Sequence, residues 1–465
     1  MTKKCFFALA LWGFMTLNLF SQQNDLLLYN YKDVAQSSLL NPATRTNQRL
    51  SIGLVHTGAM AHSSAFSAYD IMGKGTVLND NIENILGNFN GNEFLRGGTT
   101  SNIMFTSINL SSKWQISFGG MINQFNHIQV PENLIRLITR GNAQFENQTV
   151  QFGGWSMETT MLASIHAGAS YVINDKLTVG ARLYRHQGIY NFHVRRNDNN
   201  LQIQFEDEAW LTKSDFNARS SFVGGPIFDE DGAILDYGFD EALSRYSFNQ
   251  NTGYSIDLGA EYNINNKLSV SASLLGLGAV NYTANNIDVS SKASWDYEGI
   301  RYDVRNDNVF TGEFLDTLSI IYGLDYEDGA NYRRSLPTQL YVGATYDLTK
   351  MHQFHGVARY TNWLNNHHVD VNFRYVIRPA RFISAMASVT TVQGKVFGGG
   401  VGFQLYLPGF QFFLLTDVMT NNISISHFRG AMVQTGINIA LWDRSEKRQR
   451  KKVDEGNEPD ISNGL

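Results

Sequence analysis

The stretch Gly168–Leu183, GASYVINDKLTVGARL, decides the fold of this chain. On both sides of its Asn174-Asp175-Lys176 turn, apolar residues alternate with small or polar ones. A period of two places the two sets on opposite faces of a strand. The stretch therefore predicts a β-hairpin with one apolar face and one small or polar face.

The same unit recurs further along the chain. It returns as GAEYNINNKLSVSASLL at Gly259–Leu275 and, in degenerate form, as GATYDLTK at Gly343–Lys350. Three copies of an apolar-faced hairpin with a tight polar turn indicate the wall of a transmembrane β-barrel, in which alternate residues face lipid and lumen.

The bulk composition fits a single barrel domain. Strand-like alternation runs from about residue 50 to 441, with only 7 prolines in the whole sequence and no long Gly/Ser linker. Hydrophobic residues make up 43% and aromatic residues 12%. Because only every second residue of a barrel strand meets lipid, this content suits a barrel, whereas a helical membrane protein would be far more apolar.

We predict an all-β, antiparallel transmembrane barrel of about fourteen strands, each long enough to span a bilayer at about 9–11 residues. The predicted strands are Arg49–Gly58, Asn102–Ser111, Lys113–Phe125, Thr159–Ile173, Lys176–Tyr190, Gly253–Ile264, Lys267–Gly278, Pro337–Leu348, His352–Trp363, His367–Ile377, Arg381–Thr390, Val396–Leu407, Gly409–Met419 and Gly430–Leu441. Alternate connections are short, as at Asn265-Asn266 and Pro408-Gly409, and the others are long. Short periplasmic turns and long external loops are typical of outer-membrane barrels, and an even strand number places both ends of the wall in the periplasm.

The uncharged stretch Val396–Thr416 has a competing interpretation, since it is long enough for a membrane helix. Its glycines and the central Pro408-Gly409 pair oppose a helix, and its alternation has a period of two. We therefore expect a hairpin here.

Three long polar stretches are predicted to be external loops: Ala59–Thr100, with a helix-like patch at Val77–Leu86, Phe192–Asn251 and Ala284–Ser335. A short helix is predicted at Pro131–Arg140, because proline is tolerated in the first turn and Gly141 follows the end. Its apolar stripe should pack inside the barrel or at its rim.

Residues 1–21 are predicted to be a secretory signal peptide, with Lys3 and Lys4 before the apolar run Cys5–Leu17. An N-terminal membrane anchor is the alternative. Cys5 is the only cysteine, so removal of the signal would leave no thiolate site or disulfide. Residues 22–48 should lie in the barrel lumen or mouth, and they contain a turn signal at Leu40-Asn41-Pro42-Ala43.

The barrel is expected to occupy residues 49–442, and a charged tail follows at 443–465. The tail has a basic cluster and then acidic residues to Asp460. Such blocks are usually disordered, although a periplasmic peptide that docks a partner is an alternative.

The segment Asn133–Phe145, NLIRLITRGNAQF, followed by Val150 and by Tyr171–Phe192, resembles an uncharacterised family of outer-membrane barrels from Bacteroidota, a domain of unknown function. That family is similar in architecture to the PorP/SprF proteins and the FadL-like barrels that accompany type IX secretion and gliding. The LNPA motif at Leu40–Ala43 is similar to one near the start of those barrels. The resemblance implies shape and location in the cell outer membrane, with outer-membrane lipid as a partner, and it brings no catalytic residues. The tail after Leu441 departs from the usual barrel end.

The candidate chemical motifs are weak. His367 and His368, with His355 nearby in sequence, could suggest a metal, but neighbours on a strand point to opposite faces. Asp229-Glu230-Asp231-Gly232, with Asp236 and Asp240, lacks the spacing of an EF-hand, so a solvated acidic loop is favoured over an irregular calcium site.

No catalytic, cofactor-binding or metal site is predicted. Gly398–Gly402 lacks the lysine and helix of a nucleotide loop, and Gly154–Met157 misses the G-x-S-x-G elbow of a hydrolase. The formal charge of −5 argues against nucleic acid as a partner. We therefore expect no enzymatic activity and no cofactor.

Four charges are predicted to face the lumen: Arg182, Asp257, Glu261 and Arg374. Charge is tolerated there because water or an opposite charge can reach it, whereas on the lipid face it costs a few kcal/mol. These residues could line a channel, pair to hold a plug, or brace a small lumen by internal ion pairs.

Two functions from different classes remain. The favoured one is a non-enzymatic accessory or assembly component linked to protein secretion or surface-protein display, with secretion or surface-adhesin proteins as partners. The alternative is a FadL-like passive transporter of small or hydrophobic solutes. On the sequence alone, we expect that a blocked lumen would leave the barrel standing but remove the transporter alternative.

Overall fold

The computed structural model describes residues 25–46, 48–64, 67, 94–129, 131–133, 136–137, 143–205, 210–222, 227–228, 234–236, 249–297, 324–363, 366–380, 382–392, 396–420 and 428–443. The strands in these ranges are β1 Gln48–Ser63, β2 Phe94–Asn109, β3 Trp114–Gln129, β4 Thr149–Gln151, β5 Ser156–Val172, β6 Leu177–Phe205, β7 Trp210–Phe222, β8 Ile227–Phe228, β9 Ile234–Asp236, β10 Thr252–Asn263, β11 Leu268–Tyr282, β12 Asn286–Tyr297, β13 Leu324–Asp328, β14 Tyr332–Ser335, β15 Thr338–Asp347, β16 His352–Trp363, β17 Asn366–Ala380, β18 Ile383–Val392, β19 Val396–Leu407, β20 Phe410–Thr420 and β21 Phe428–Asp443.

Fourteen of these strands form one closed antiparallel barrel, as predicted. Its order around the wall is β1, β2, β3, β5, β6, β10, β11, β15, β16, β17, β18, β19, β20 and β21. The last strand pairs with the first, with Leu50 opposite Leu441, so the wall has no free edge. Closure gives every wall strand a hydrogen-bonded neighbour on each side, as a lipid environment requires.

The outer face of the wall is apolar. Leu183, Phe373 and Val401 are 63%, 66% and 59% exposed in the isolated molecule. Their sequence neighbours Arg182, Arg374 and Gly400 point inward. An apolar outer band around a polar interior is the pattern of a transmembrane barrel, and barrels of this kind lie in outer membranes. The protein is therefore an outer-membrane β-barrel.

The wall has a short-turn end and a long-loop end. The turns after β2, β5, β10, β15, β17 and β19 are short, and Gln48 pairs with Asp443 at this same end. Outward aromatic side chains lie next to these turns and form a girdle of the kind found at membrane interfaces: Trp114, Tyr262, Tyr346, Phe382 and Phe410. The asymmetry assigns the short-turn end to the periplasm.

The stretch Val396–Thr416 forms a hairpin, which confirms the expectation against a membrane helix. β19 ends at Leu407, a two-residue turn of Pro408 and Gly409 follows, and β20 returns. Gly409 has φ +83°, a left-handed conformation that suits glycine. Among the described residues, no helix is both long and apolar enough to cross a membrane.

The predicted loops contain strands that the sequence did not indicate. β6 continues to Phe205 and pairs with β7, which pairs with β12, which pairs with β13. This sheet extends the wall beyond the long-loop end. The extension of β6 includes the polar run 195–200, and beyond the bilayer both faces of a strand can meet water, so the alternation that reveals a strand is lost. The loop prediction was wrong for these segments.

Residues 132–133 and 136–137 are helical, as expected, and Arg136 Nε donates to Glu132 Oε1 at 2.7 Å. Leu137 packs on a cluster of Phe145, Val150, Phe152, Ile203 and Phe205 in the sheet extension. The helix therefore lies at the rim rather than in the lumen. The helix-like patch Val77–Leu86 lies outside the described residues.

Candidate functional site

Residues 25–46 are folded inside the barrel at its short-turn end. We call them the N-terminal segment. It contains two short 3-10 helices, Asp25–Leu27 and Ala35–Leu39. Leu26, Leu27 and Tyr29 have no exposed surface, although none of them belongs to a wall strand. The segment is therefore enclosed by the wall and fills this end of the lumen.

An apolar layer surrounds the first turn of the N-terminal segment. Leu26, Leu27 and Leu28 belong to one buried cluster with inward side chains of the wall. The wall members of the cluster are Met60, Leu275, Tyr341, Val357, Val376, Met386, Val392, Phe413, Leu415, Met419 and Met432. These residues depart from the polar interior expected of a water-filled barrel because they pack against a segment rather than face water.

Two tyrosines anchor the segment to two different wall strands, β15 and β18. The Tyr29 ring stacks on Tyr341 with centroids 4.9 Å apart and planes 5° apart. The Tyr31 hydroxyl hydrogen-bonds to Ser384. Burial raises the pKa of Tyr31 above its ordinary value, so its hydroxyl stays neutral.

Arg374 binds the backbone of the N-terminal segment. One end of its guanidinium, Nη1, donates to the carbonyls of Leu26, at 3.4 Å, and Leu27. The other, Nη2, donates to the carbonyl of Tyr29 at 3.0 Å. Since Arg374 is 2% exposed, these three carbonyls supply the hydrogen-bond partners of its two terminal amino groups, as a buried cation requires.

Arg182 also binds the backbone of the N-terminal segment. Its Nη1 donates to Leu39 O at 2.9 Å, and its Nη2 donates to Ser38 O. The guanidinium also lies 3.7 Å from the Asp257 carboxylate, and both side chains are buried. Lys32 pairs with Glu261 and Asp33 with Arg378 at the edge of the segment.

The structure confirms that the four predicted lumen charges face the interior of the barrel, at or beside the N-terminal segment. Arg182 and Asp257 pair with each other, while Arg182, Glu261 and Arg374 each contact the N-terminal segment. Of the three alternatives that the sequence left open, Arg182, Glu261 and Arg374 hold a plug, and the pair of Arg182 with Asp257 is an internal ion pair.

Wall glycines provide the space for the LNPA turn. Gly180 and Gly259 face each other across β6 and β10. A Cβ at Gly259 would lie 2.1 Å from Asn41 Oδ1, and one at Gly180 would lie 2.3 Å from the Pro42 carbonyl oxygen. Both distances are far below contact, so any larger residue excludes the turn.

We call the space that Gly180 and Gly259 leave for the LNPA turn the seat. The sequence analysis did not predict the seat, although the glycines of the repeat indicated one. Gly259 and Gly343 open the second and third copies of the repeat, and Gly343 faces Tyr29, at 2.9 Å from a would-be Cβ. A glycine on the inward face in repeated copies indicates that another part of the chain approaches closely.

A cavity of about 130 Å³ lies inside the barrel, between the N-terminal segment and the wall. Leu28, Leu39 and Leu40 of the segment border it, and the wall side includes Gly276, Leu336 and Pro337. Here the pairing of β11 passes from β15 at Leu275–Gln339 to β14 at Ala279–Ser335. Gly276 has φ +72° and proline has no N–H, so the wall ladder is interrupted beside the cavity.

The remaining candidate motifs do not converge on a reactive site. His367 is exposed and bonds the Tyr360 hydroxyl at 2.7 Å, whereas His368 is buried 3.4 Å from Arg96. His355 lies beside Tyr29. Across the described ranges, no group of three or more His, Cys, Asp or Glu residues could hold a metal ion. Asp229–Asp231 lies outside those ranges, and the absence of catalysis stays a prediction.

The fold and its interior define the class: an outer-membrane β-barrel of fourteen strands whose lumen holds an N-terminal plug. A family model described as "Family of unknown function (DUF5723)" matches residues 42–417. The chain belongs to this family. The match begins at Pro42, inside the LNPA turn.

Solved barrels resemble the chain at low identity. A FadL homologue of Pseudomonas aeruginosa is 10% identical, with 89% of this chain and 96% of that chain covered and a TM-score of 0.45. The toluene transporter TodX of Pseudomonas putida is 8% identical, with 88% and 93% covered and a TM-score of 0.40. The translocator domain of the autotransporter NalP from Neisseria meningitidis is 9% identical, with 85% and 89% covered and a TM-score of 0.31. These values do not allow a function to be transferred. No curated protein matches the chain.

Proposed function

We propose that the protein is a passive outer-membrane channel for small, largely apolar solutes, closed at rest by its N-terminal segment. The observation that carries the proposal is the cavity of about 130 Å³ inside the lumen. Its lining is mostly apolar, with Met121, Phe125, Leu162 and Leu275 among the wall residues. Small-molecule sites in proteins are concave, apolar and supplied with a few polar groups.

A filled lumen is compatible with transport. Plugged lumens occur among outer-membrane transporters, so closure at rest does not oppose a channel. The N-terminal segment is not a wall strand, and it is held by side-chain contacts from Arg182, Arg374 and Glu261. It can therefore shift without breaking the ladder that closes the barrel.

The direct test is uptake of benzene, followed by its ultraviolet fluorescence, into vesicles whose outer leaflet is lipopolysaccharide. We expect the wild-type protein to accelerate uptake several-fold over empty vesicles. Leu275→Trp places a large side chain in the cavity and should return the rate to that of empty vesicles. Leu277→Trp is the matched control, because Leu277 is 38% exposed on the outer face of the same strand. Equal rates for wild type and Leu275→Trp would refute the proposal.

The second candidate is an accessory component of protein secretion or surface display. It is favoured by the sheet of β6, β7, β12 and β13, which extends the wall beyond the long-loop end and exceeds what a pore needs. Mild-detergent purification from native outer membranes separates the two candidates. A stoichiometric protein partner together with no benzene uptake would support this function over the channel.

A further inference from the structure

A second cavity lies at the short-turn end of the barrel, apart from the one that carries the proposed function. Its volume is about 330 Å³. Asp33 of the N-terminal segment lines one part of it, and Arg378 of β17 and Gln404 of β19 line another. Lys350 and Met351 also line it, and both are exposed in the turn between β15 and β16. The cavity therefore opens to the periplasm.

The lining carries two cationic side chains but one carboxylate. Arg378 Nε donates to Asp33 Oδ2 at 2.7 Å, and Arg378 Nη2 donates to Gln353 Oε1 at 3.2 Å. The third nitrogen of this guanidinium, Nη1, has no hydrogen-bond partner among the described residues. Within the same ranges, the Lys350 ammonium forms neither a hydrogen bond nor an ion pair. One positive charge and the N–H groups of Nη1 are therefore left for a ligand.

Asp33 shows which chemistry Arg378 accepts at this place. The two side chains form an ion pair in which the carboxylate is 16% exposed and the guanidinium 23%. A planar guanidinium matches the two oxygens of a carboxylate. Because Asp33 belongs to the N-terminal segment and not to the wall, a dissolved carboxylate can take its place without breaking a strand pairing.

The apolar part of the lining suits a compact apolar body rather than a second charge. It consists of Met351, Pro379, Ala380 and Ile383. A protein cavity of about 150 Å³ holds benzene, so a space of about 330 Å³ accommodates a six-membered ring together with a carboxylate.

We propose that this cavity is a periplasmic binding site for a small molecule with one carboxylate and an apolar body. The carboxylate takes the place of Asp33 at Arg378 and pairs with Lys350. Its binding replaces one of the ion pairs that hold the edge of the N-terminal segment. The inference goes beyond the proposed channel and does not rest on it, since the cavity is a different one and binding requires no transport.

The test compares benzoate with benzamide, a neutral molecule of nearly the same size. Binding to the full-length protein in micelles of a non-ionic detergent is measured by isothermal titration calorimetry. We expect benzoate to bind wild type about tenfold more tightly than benzamide, roughly the factor that one hydrogen bond to a charged group contributes. Arg378→Gln should remove that preference. Lys350→Gln should raise the benzoate Kd about three- to fivefold, as expected for the loss of an exposed ion pair.

Two control variants make the same changes of charge away from the cavity. Lys267→Gln should leave the benzoate Kd unchanged, because Lys267 is exposed in another short turn at the same end and does not line the cavity. Asp33→Asn removes the competing carboxylate and should lower the benzoate Kd about three- to fivefold. Asp175→Asn, in a third short turn, should leave it unchanged.

Heat-modifiable migration on gels checks that each variant is folded. Equal binding of benzoate and benzamide to wild type would overturn the inference, and so would an unchanged benzoate Kd in folded Lys350→Gln. A benzoate Kd that does not fall in Asp33→Asn would overturn the competition for Arg378. Tighter binding of phenyl phosphate than of benzoate would overturn the assignment to a carboxylate. None of these outcomes bears on benzene uptake, so the proposed channel stands or falls separately.

Discussion

Two glycines on neighbouring strands, β6 and β10, decide whether the lumen can hold the N-terminal segment. Gly180 and Gly259 leave room for Asn41 and Pro42, where a single added carbon would lie within 2.3 Å of the turn. Elsewhere in a strand, glycine is unfavourable because it has no side chain to pack. At these two positions the loss is offset by the docking of residues 40–43.

The first prediction concerns this seat. Gly259→Val should displace the turn, because valine suits a strand but its Cβ overlaps Asn41. In a Cys5→Ser background, Ala43→Cys reports the displacement, since Ala43 has no exposed surface. We expect its maleimide labelling to become at least tenfold faster in Gly259→Val. Gly399→Val is the control, as nothing lies within 4 Å of that outward position; equal acceleration there would contradict the account.

The second prediction concerns the buried pair of Arg182 and Asp257. Arg182→Leu should destabilise the protein by about 3–5 kcal/mol, because it leaves a buried carboxylate without its cation. Both side chains are at most 5% exposed. Urea unfolding in micelles, followed by tryptophan fluorescence, measures the free energy. Asp257→Asn in the same chain should recover part of the loss; additive losses in the double variant would exclude coupling between the two residues.

At the scale of the elements, the hairpins are the part of the fold that the sequence predicts best. The predicted His352–Trp363 and Val396–Leu407 coincide with β16 and β19. Their alternation is strong because one face meets lipid and the other the lumen. β7 and β12 were missed because strands beyond the bilayer lack that contrast.

The third prediction tests a tight turn. Gly409 has φ +83°, which costs a residue with a Cβ roughly 1–3 kcal/mol. Gly409→Ala should lower the free energy of unfolding by about that amount and should slow formation of the β19–β20 hairpin. Gly399→Ala serves as the control in urea unfolding, because it adds the same carbon in open space on β19. Equal stability of the two variants would show that the turn is not strained by a side chain.

At the scale of the whole molecule, the lumen was the least predictable part. The four inward charges could be identified from strand alternation, and residues 22–48 could be assigned to the lumen or mouth. The contacts between the inward charges and the N-terminal segment could not be predicted, because pairs such as Arg374 and Tyr29 lie far apart in the chain. The seat at Gly180 depends on strand register, which a sequence does not fix without the closed wall.

The fourth prediction tests the lipid face. Val401→Lys places a charge near the middle of β19, at a position that is 59% exposed on the outer surface. It should reduce the free energy of folding into lipid vesicles by about 2–4 kcal/mol. Val401→Leu should fold as wild type does. Equal stability of the lysine variant would mean that this face does not meet lipid.

The central claim is that a membrane-spanning barrel is sealed by its own N-terminal segment. Single-channel recording in planar bilayers tests it most directly, with wild type compared with the doubly substituted Gly180→Val, Gly259→Val protein. We predict no conductance steps for wild type and well-defined steps for the variant, whose seat for Asn41 and Pro42 is filled. Steps of equal size in both proteins, or a variant that stays sealed after Ala43→Cys has become reactive, would contradict the account.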